Sequence, residues 1–431
     1  MLRRQFCLLL FIFSLLLSAN SFATEELKER LLQLSNVSSI EKLESDFYTE
    51  KYVTYIVQPI EHKDISVGEF SQRVIVCHKG FDRPTVIVTE GYGGARALNP
   101  SYREEISQLF DANLIFVEHR YFLESTPENK DWKYLTAENA SYDLHNVTQT
   151  FKTFYQNKWI STGISKGGQT TIQYRAYFPD DVDISAPYVA PWCRGMEDGR
   201  HEPFLDKVGT KKERKAIDVF RNEVLKRRDE IRPMLEKYCE DRGLAFRTSS
   251  FDELLDYVVL EYPFALWQWG RSTQAIPSPS SDTDILFDHL VRISEPEYFA
   301  KEQGYESFFV QATRELGYYG YSTKGLKNLS VNSSEGYLHR LLLPDDAEET
   351  IDFDPTLYNK GYEYLKANDP KMICIYGEID PWTAVRVPDF KGKKNLQIYI
   401  QPRGDHRTRI NTMPEKMRRK VIEQINKWLA E

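Results

Sequence analysis

The sequence of 431 residues is poor in the side chains that hold metals and in positive charge. It contains five cysteines and eight histidines, with no Cys-x-x-Cys pair and no histidine cluster, so it indicates neither a metal site nor another cofactor. Acidic residues outnumber basic ones, and the formal net charge is −8. Because nucleic-acid-binding proteins need a basic face, the sequence argues against a nucleic-acid partner.

Long apolar runs are also scarce, and the pronounced one lies at the amino terminus. Residues 1–23 carry Arg3 and Arg4, then the run FCLLLFIFSLLL, then SFA before Thr24. This order is typical of a secretory signal peptide, whereas a membrane anchor needs a longer apolar stretch. Its removal takes away two basic and no acidic residues and leaves a net charge of −10. We expect a secreted or periplasmic protein that inserts no segment into a membrane once the signal is removed.

Four cysteines remain after such cleavage, and export permits disulfides. Cys77 in RVIVC and Cys374 in MICIY lie in strand-like apolar runs, where cysteine more often packs as a free small hydrophobe. Cys193 and Cys239 lie in looser or helical contexts. The sequence therefore favours Cys193 and Cys239 as the disulfide-bonded pair.

The chain shows two kinds of strand pattern. After a charged segment that can form a helix, KYVTYIVQPI and FSQRVIVCH alternate as antiparallel strands do. Later runs are short and apolar, and helix-length segments separate most of them: TVIVT, NLIFV, KWIST, DISAPYV, MICIY and NLQIYI. That spacing predicts a parallel sheet with helices on both faces. The last segment, PEKMRRKVIEQINKWL, predicts an amphipathic helix.

One long gap interrupts this rhythm, because about 180 residues separate DISAPYV from MICIY. The gap contains charged helical stretches such as KKERKAIDVFRNEVLKRRDEIRPMLEKYCEDRG. A segment of this size is too long to be a loop. We therefore predict a mainly helical lid over residues 192–342, inserted into an α/β core formed by residues 24–191 and 343–431.

The pattern Gly-x-Ser-x-Gly occurs at residues 163–167, with Ser165 at its centre. In an α/β-hydrolase the nucleophile occupies a sharp turn between a strand and a helix. KWIST before the motif predicts the strand, and GGQTTIQYRAYF predicts a helix that Pro179 would stop. This context favours Ser165 as a nucleophile over an ordinary serine in a glycine-rich turn.

The other catalytic residues must follow in the order Ser, acid, His. His406 is the only histidine after the strand MICIY. The acid should lie in GEIDPW after that strand, which offers Glu378 and Asp380. We favour Asp380, because Pro381 fixes the chain beside it and the shorter side chain orients an imidazole more rigidly.

The tetrahedral intermediate of such a hydrolase carries an oxyanion that needs two donors. One is the backbone N–H of Lys166, the residue after the nucleophile. The other should come from the glycine-containing loop EGYGGAR after TVIVT, and we place it at Tyr92. Glycines in this loop allow the backbone to approach the substrate.

These residues belong to blocks that make the chain similar to the secreted serine tripeptidyl aminopeptidases (the PS-ten peptidase family), relatives of prolyl carboxypeptidase and dipeptidyl peptidase II. The resemblance covers nearly the whole mature chain, in the blocks VEHRYFLESTP, GISKGGQT, FLDKVGT, EYPFALWQWG, QATRELGYYG, GEIDPW and GDH. The prolyl-specific relatives usually carry Tyr after the serine, so Lys166 favours the tripeptidyl branch. The resemblance implies an α/β-hydrolase fold with a helical lid and an exopeptidase that removes short peptides from free N-termini, with Ser165, Asp380 and His406 as its triad.

An aminopeptidase must also bind the ammonium group of its substrate, which is costly to bury without a carboxylate partner. The lid offers Glu197, Asp198 and Glu315 for this purpose. In the block EHRYF we expect Glu118 and Arg120 to form a structural ion pair. Two other functions remain open at this point: an esterase or lipase of the same fold, and a non-enzymatic exported binding protein on a hydrolase scaffold.

Overall fold

The computed structural model describes residues 26–247, 250–331, 333–347 and 351–431. The predicted signal peptide lies outside these residues. A nine-stranded sheet forms the core, in the order β1-β2-β3-β5-β4-β6-β7-β8-β9. Its strands are β1 (Val37–Leu43), β2 (Glu50–Pro59), β3 (Glu69–His78), β4 (Thr85–Thr89), β5 (Asn113–Val117), β6 (Trp159–Ile164), β7 (Ile184–Tyr188), β8 (Met372–Gly377) and β9 (Leu396–Gln401).

The sheet is antiparallel at one end and parallel over the rest. β1, β2, β3 and β5 pair antiparallel in turn, whereas every pair from β5 and β4 through to β8 and β9 is parallel. The two antiparallel strands and the six parallel strands read from the sequence are confirmed, and the fold is that of an α/β-hydrolase. β1 was not predicted, because its side chains are mostly polar and exposed and show no strand pattern.

Helices cover both faces of the sheet, as its apolar strands require. Val86 and Val88 of β4 belong to the hydrophobic cluster that α12 completes, whereas Ile87 belongs to the cluster on the α3 face. The helices are α1 (residues 26–32), α2 (Glu105–Leu109), α3 (Ala137–Lys152), α4 (Lys166–Tyr177), α5 (His201–Leu205), α6 (Lys211–Lys226), α7 (Arg228–Glu240), α8 (Phe251–Gln268), α9 (Thr283–Ile293), α10 (Glu306–Gln311), α11 (Thr356–Ala367) and α12 (Glu415–Ala430). The predicted carboxy-terminal helix is thus present as α12.

The described residues between β7 and β8 contribute no strand to the sheet. Residues 192–342 of this segment, which we call the helical insertion, contain α5 to α10 and a large hydrophobic cluster of their own around α8. The cluster reaches the sheet through Ile379, Trp382 and Val385, which follow β8. Within the described ranges, no helix has the length and apolar character needed to cross a membrane.

The predicted disulfide between Cys193 and Cys239 is wrong. All four cysteines of the described chain are free and buried. Cys193 and Cys239 both lie in the hydrophobic cluster of the helical insertion, and burial raises the pKa of Cys239 to about 12. The two thiols therefore stay protonated and pack as small apolar side chains, which is a common role for buried cysteine.

Candidate active site

Ser165 occupies the turn between β6 and α4. Its φ of 58° and ψ of −122° hold a non-glycine residue in a strained backbone conformation, which is typical of a nucleophile on a sharp turn. Small neighbours are necessary here, because a Cβ on Gly163 would lie 2.2 Å from the Gly167 carbonyl oxygen. The motif glycines therefore serve the turn itself, and the side chain of Ser165 remains partly exposed.

His406 and Asp380 are in direct contact. His406 Nδ1 lies 2.7 Å from Asp380 Oδ2, and the other carboxylate oxygen accepts the Trp382 N–H at 3.1 Å. Because an ionised carboxylate only accepts hydrogen bonds, this contact places the imidazole proton on Nδ1 and leaves Nε2 as a base. The alternative acid, Glu378, is exposed and accepts the backbone N–H of Arg403 at 2.7 Å instead.

The helical insertion helps to hold the histidine. The backbone N–H of His406 donates to the carbonyl of Gln268, the last residue of α8, at 3.0 Å. The ring of Trp269 meets the imidazole edge to face, with 5.9 Å between the ring centroids. The histidine loop and the end of α8 are therefore packed together.

The loop of residues 90–96 lies directly against the start of α4. A Cβ on Gly91 would lie 2.7 Å from both the Gly167 nitrogen and Lys166 Cγ, so only glycine fits at this approach. Within the described chain, the backbone N–H groups of Tyr92 and Lys166 have no hydrogen-bond acceptor. Burial raises the pKa of the Tyr92 phenol above its ordinary range, and a hydrogen bond with the Ser165 side chain opposes that rise. Both expected oxyanion donors are therefore unengaged, and Tyr92 lies beside Ser165.

The expected ion pair between Glu118 and Arg120 is wrong. Glu118 pairs with Arg73 of β3, with 2.5 Å between Nη2 and Oε2, and its carboxylate also accepts the Gly94 N–H at 2.6 Å. Arg120 instead pairs with Asp143 of α3 at 2.7 Å. Both residues follow β5, but Glu118 reaches the neighbouring strand β3, whereas Arg120 reaches the covering helix α3. Glu118 thus holds the loop of residues 90–96 in place.

The acids predicted to bind the substrate amine lie in different surroundings. Asp198 pairs with Arg200. Burial alone would raise the pKa of Asp198, but the bonds from Arg200 and from the Arg194 N–H outweigh burial, so the pKa lies below its usual range. Glu315 accepts the backbone N–H of Ala137 at 2.7 Å, and burial raises its pKa to about 7. Asp198 already has its cation, whereas Glu315 is bound to the start of α3.

Glu197 lies next to a second acid, Glu202, which the sequence did not single out. A Cβ built on Gly320 would lie 3.3 Å from Glu197 Oε2 and 2.9 Å from Glu202 Oε1, so both carboxylates converge there; we call them the carboxylate pair. Glu197 Oε1 accepts the Gly336 N–H at 2.7 Å, whereas Glu202 Oε2 is buried without a hydrogen-bond partner among the described residues. Burial raises the pKa of both carboxyl groups, and the charges of Glu335 and Glu202 add to the rise at Glu197.

Tyrosines lie between Glu197 and the surroundings of Ser165 and Asp380. Glu197 and Tyr318 form an isolated β-bridge, and the Tyr318 phenol interacts electrostatically with that of Tyr92. The rings of Tyr318 and Tyr319 lie 5.3 and 5.4 Å from the ring of Trp382, two residues after Asp380. Glu197 therefore pairs with a segment whose tyrosine rings contact Trp382.

A third acid, Glu261 of α8, lies behind these tyrosines. Its Oε2 accepts hydrogen bonds from the phenols of Tyr319 and Tyr321, each at 2.9 Å, and burial raises its pKa to about 8. It is the single charged residue in the block EYPFALWQWG, and a lone acid in an apolar helix is a signal that sequence analysis could have used. Glu261 thus fixes the phenol groups of Tyr319 and Tyr321.

Comparisons with known proteins show the family of the chain. The chain is 30% identical over 416 residues to a prolyl tri/tetrapeptidyl aminopeptidase from Streptomyces mobaraensis, a match that covers 94% of this chain and 85% of the relative. A proline iminopeptidase structure from Mycobacterium smegmatis aligns with 91% of this chain and 99% of its own at a TM-score of 0.42 and 12% identity. Residues 21–430 match the family model described as PS-10 peptidase S37. The chain therefore belongs to the PS-10 peptidase S37 family of serine peptidases.

Proposed function

We propose that this chain is a serine exopeptidase that removes short peptides, principally tripeptides, from the free N-termini of peptide substrates. The observation that carries the proposal is the carboxylate pair, Glu197 and Glu202. In the described chain neither carboxylate is paired with a basic side chain. Glu197 forms a β-bridge with Tyr318, whose phenol interacts with that of Tyr92 beside Ser165 and whose ring packs against Trp382 in the acid loop. A substrate ammonium supplies the positive charge that this site lacks.

In the proposed reaction, Ser165, His406 and Asp380 act as a catalytic triad. His406 Nε2 takes the proton of the Ser165 hydroxyl while Oγ attacks the scissile carbonyl carbon. The backbone N–H groups of Lys166 and Tyr92 stabilise the oxyanion that forms. His406 then gives the proton to the leaving amine, and the N-terminal fragment remains as an ester on Ser165. Water, activated by the same histidine, releases it.

In this proposal the helical insertion determines that the substrate is bound by its amino end and how long the released fragment is. It acts as the lid over the site, because it supplies both acids of the carboxylate pair and packs against the histidine loop. An ammonium anchored on the insertion fixes how many residues reach from the amino end to Ser165. The printed name of the Streptomyces mobaraensis relative, a tri/tetrapeptidyl aminopeptidase, supports a short fragment. A signal peptide over residues 1–23 and export of the protein remain part of the proposal.

The first prediction is that the enzyme requires a free substrate amine. Tripeptide anilides with a free amine should be cleaved far faster than their N-acetylated counterparts, because acetylation removes the charge that the carboxylate pair needs. Loss of one partner of a buried charge pair costs roughly 2 to 5 kcal/mol, which corresponds to a fall in kcat/KM of about 30-fold or more. Initial rates on both substrates measure this ratio.

Glutamine substitutions test whether the carboxylate pair causes the difference in rate between the free-amine and the acetylated anilide. Glu197→Gln and Glu202→Gln should lower kcat/KM for the free amine and leave the slow acetylated substrate unchanged. Asp288→Asn is the matched control, since it removes an exposed acid of α9 that forms no ion pair within the described chain and should preserve the ratio. Equal rates on free and acetylated anilides would reject the exopeptidase while leaving the hydrolytic triad in place.

A further inference from the structure

The side chain of Lys166 is an unusual component of the candidate site. It directly follows the nucleophile, is 2% exposed, and Nζ donates to the Gly91 carbonyl oxygen at 2.5 Å. That ammonium also lies 5.7 Å from the ring centroid of Tyr92 and 5.3 Å from that of Phe122. Burying a cation is costly, and the triad makes no use of this one.

Several ionisable groups face the ammonium. Burial lowers the pKa of Lys166 to about 7, and the nearby carboxylates of Glu90 and Glu315 oppose this fall. Glu90 is itself paired with Arg96, and His119 is kept neutral because burial and the charge of Lys166 lower its pKa. Within the described chain the only hydrogen bond of Nζ is the one to Gly91. The loop backbone is therefore what this side chain holds.

The geometry of a peptide unit gives that hydrogen bond a consequence. The carbonyl of Gly91 and the N–H of Tyr92 belong to one planar trans unit, so they point in opposite directions. A donor fixed on the oxygen therefore fixes the direction of the N–H. A charged donor also polarises the amide and strengthens its N–H as a hydrogen-bond donor.

We propose that the Lys166 side chain is a positioning residue for the oxyanion site: its ammonium clamps the Gly91–Tyr92 peptide unit and aims the Tyr92 N–H at the substrate oxygen. This inference rests on the proposed function, since it requires an oxyanion on the Ser165 adduct. Lys166 then contributes to the site twice, directly through its backbone N–H and indirectly through its side chain.

Lys166→Met tests the clamp, because it keeps the apolar stem and the backbone N–H and removes the ammonium. Loss of a whole oxyanion donor lowers kcat by about 10²- to 10³-fold, so misaiming one donor should lower kcat by roughly 10- to 100-fold. KM for the free-amine anilide should change by less than about threefold, since the ground state makes no oxyanion. The affinity for a tripeptide aldehyde, whose hemiacetal oxygen occupies the oxyanion site, should fall by the same factor as kcat.

Thr170→Val is the matched control, because it removes a buried hydroxyl that bonds the Lys166 carbonyl at 2.9 Å in the same helix and leaves Gly91 untouched. It should change kcat by less than about threefold. Lys166→Gln, whose amide falls one bond short of Gly91, gives the same readout if the methionine variant is insoluble. Wild-type kcat and aldehyde affinity in the Lys166 variants would overturn the clamp, as would a fall in kcat with unchanged aldehyde affinity. Activity in Ser165→Ala would instead overturn the proposed function.

Discussion

Ser165→Ala is expected to lower kcat by about 10⁴-fold or more. The substitution removes the atom that attacks the substrate and keeps the same backbone and Cβ at the strained turn. The side chain is partly exposed and contributes little to the core, so the melting temperature should change by only a degree or two. Steady-state rates on a free-amine tripeptide anilide and a thermal unfolding scan measure the two effects.

Ser101→Ala is the control for Ser165→Ala, because Ser101 is an exposed serine whose hydroxyl bonds only Asn99 within the described chain. It should retain wild-type activity. Turnover close to wild type in Ser165→Ala would contradict the nucleophile and every step that depends on it.

Asp380→Asn has the second large expected effect, a fall in kcat of about 10⁴-fold. The amide that replaces the carboxylate places a donor against His406 Nδ1, so the proton moves to Nε2 and the imidazole can no longer act as a base toward Ser165. Glu378→Gln is the matched control, because this acid is exposed and bonds only the Arg403 N–H in the described chain. It should change kcat by less than about threefold.

The pair of variants decides which acid serves the histidine. A large loss in Glu378→Gln together with mild effects in Asp380→Asn would contradict the assignment. Equal, mild effects in both would mean that neither carboxylate orients His406. Measurement of kcat and of KM separates these outcomes from a change in substrate binding.

Sequence alone could predict the sheet and the candidate triad because both follow from local patterns. Short apolar strands separated by helix-length segments define a parallel sheet, and the chain order Ser, acid, His leaves a single histidine after the acid strand. Asp380 and Glu378 differ by two positions, yet only Asp380 contacts His406. The preference for the shorter side chain beside Pro381 selected the residue that the structure brings to the histidine.

Glu197 was among the acids that the sequence offered for the amine, whereas Glu202 could not be predicted because its position beside Glu197 depends on the path of the helical insertion. Glu197 and Glu202 meet at Gly320, more than a hundred residues later in the chain. Sequence proximity suggested Asp198 as a partner for the amine, but Arg200 lies close enough to neutralise it. A charged insertion offers many acids, and only the three-dimensional arrangement shows which of them lacks a cation.

The errors have the same origin. Glu118 and Arg120 are close in sequence, but one reaches β3 and the other α3. Cys193 and Cys239 do not lie in apolar strand-like runs of the sequence, yet the fold buries both in apolar surroundings. Likewise, the motif predicts the backbone role of Lys166, whereas the direction of its side chain depends on how closely Gly91 approaches α4.

The most direct test of the central claim is the mass of the acyl-enzyme during turnover of a defined hexapeptide with a free amine. The reaction is quenched in acid, and the digested protein is analysed by mass spectrometry. We predict that the peptide containing Ser165 gains the mass of the N-terminal tripeptide of the substrate, and that the N-acetylated hexapeptide forms its adduct more slowly, by about 30-fold or more. An adduct on another residue, or one on Ser165 that lacks the amino end of the substrate, would contradict the claim.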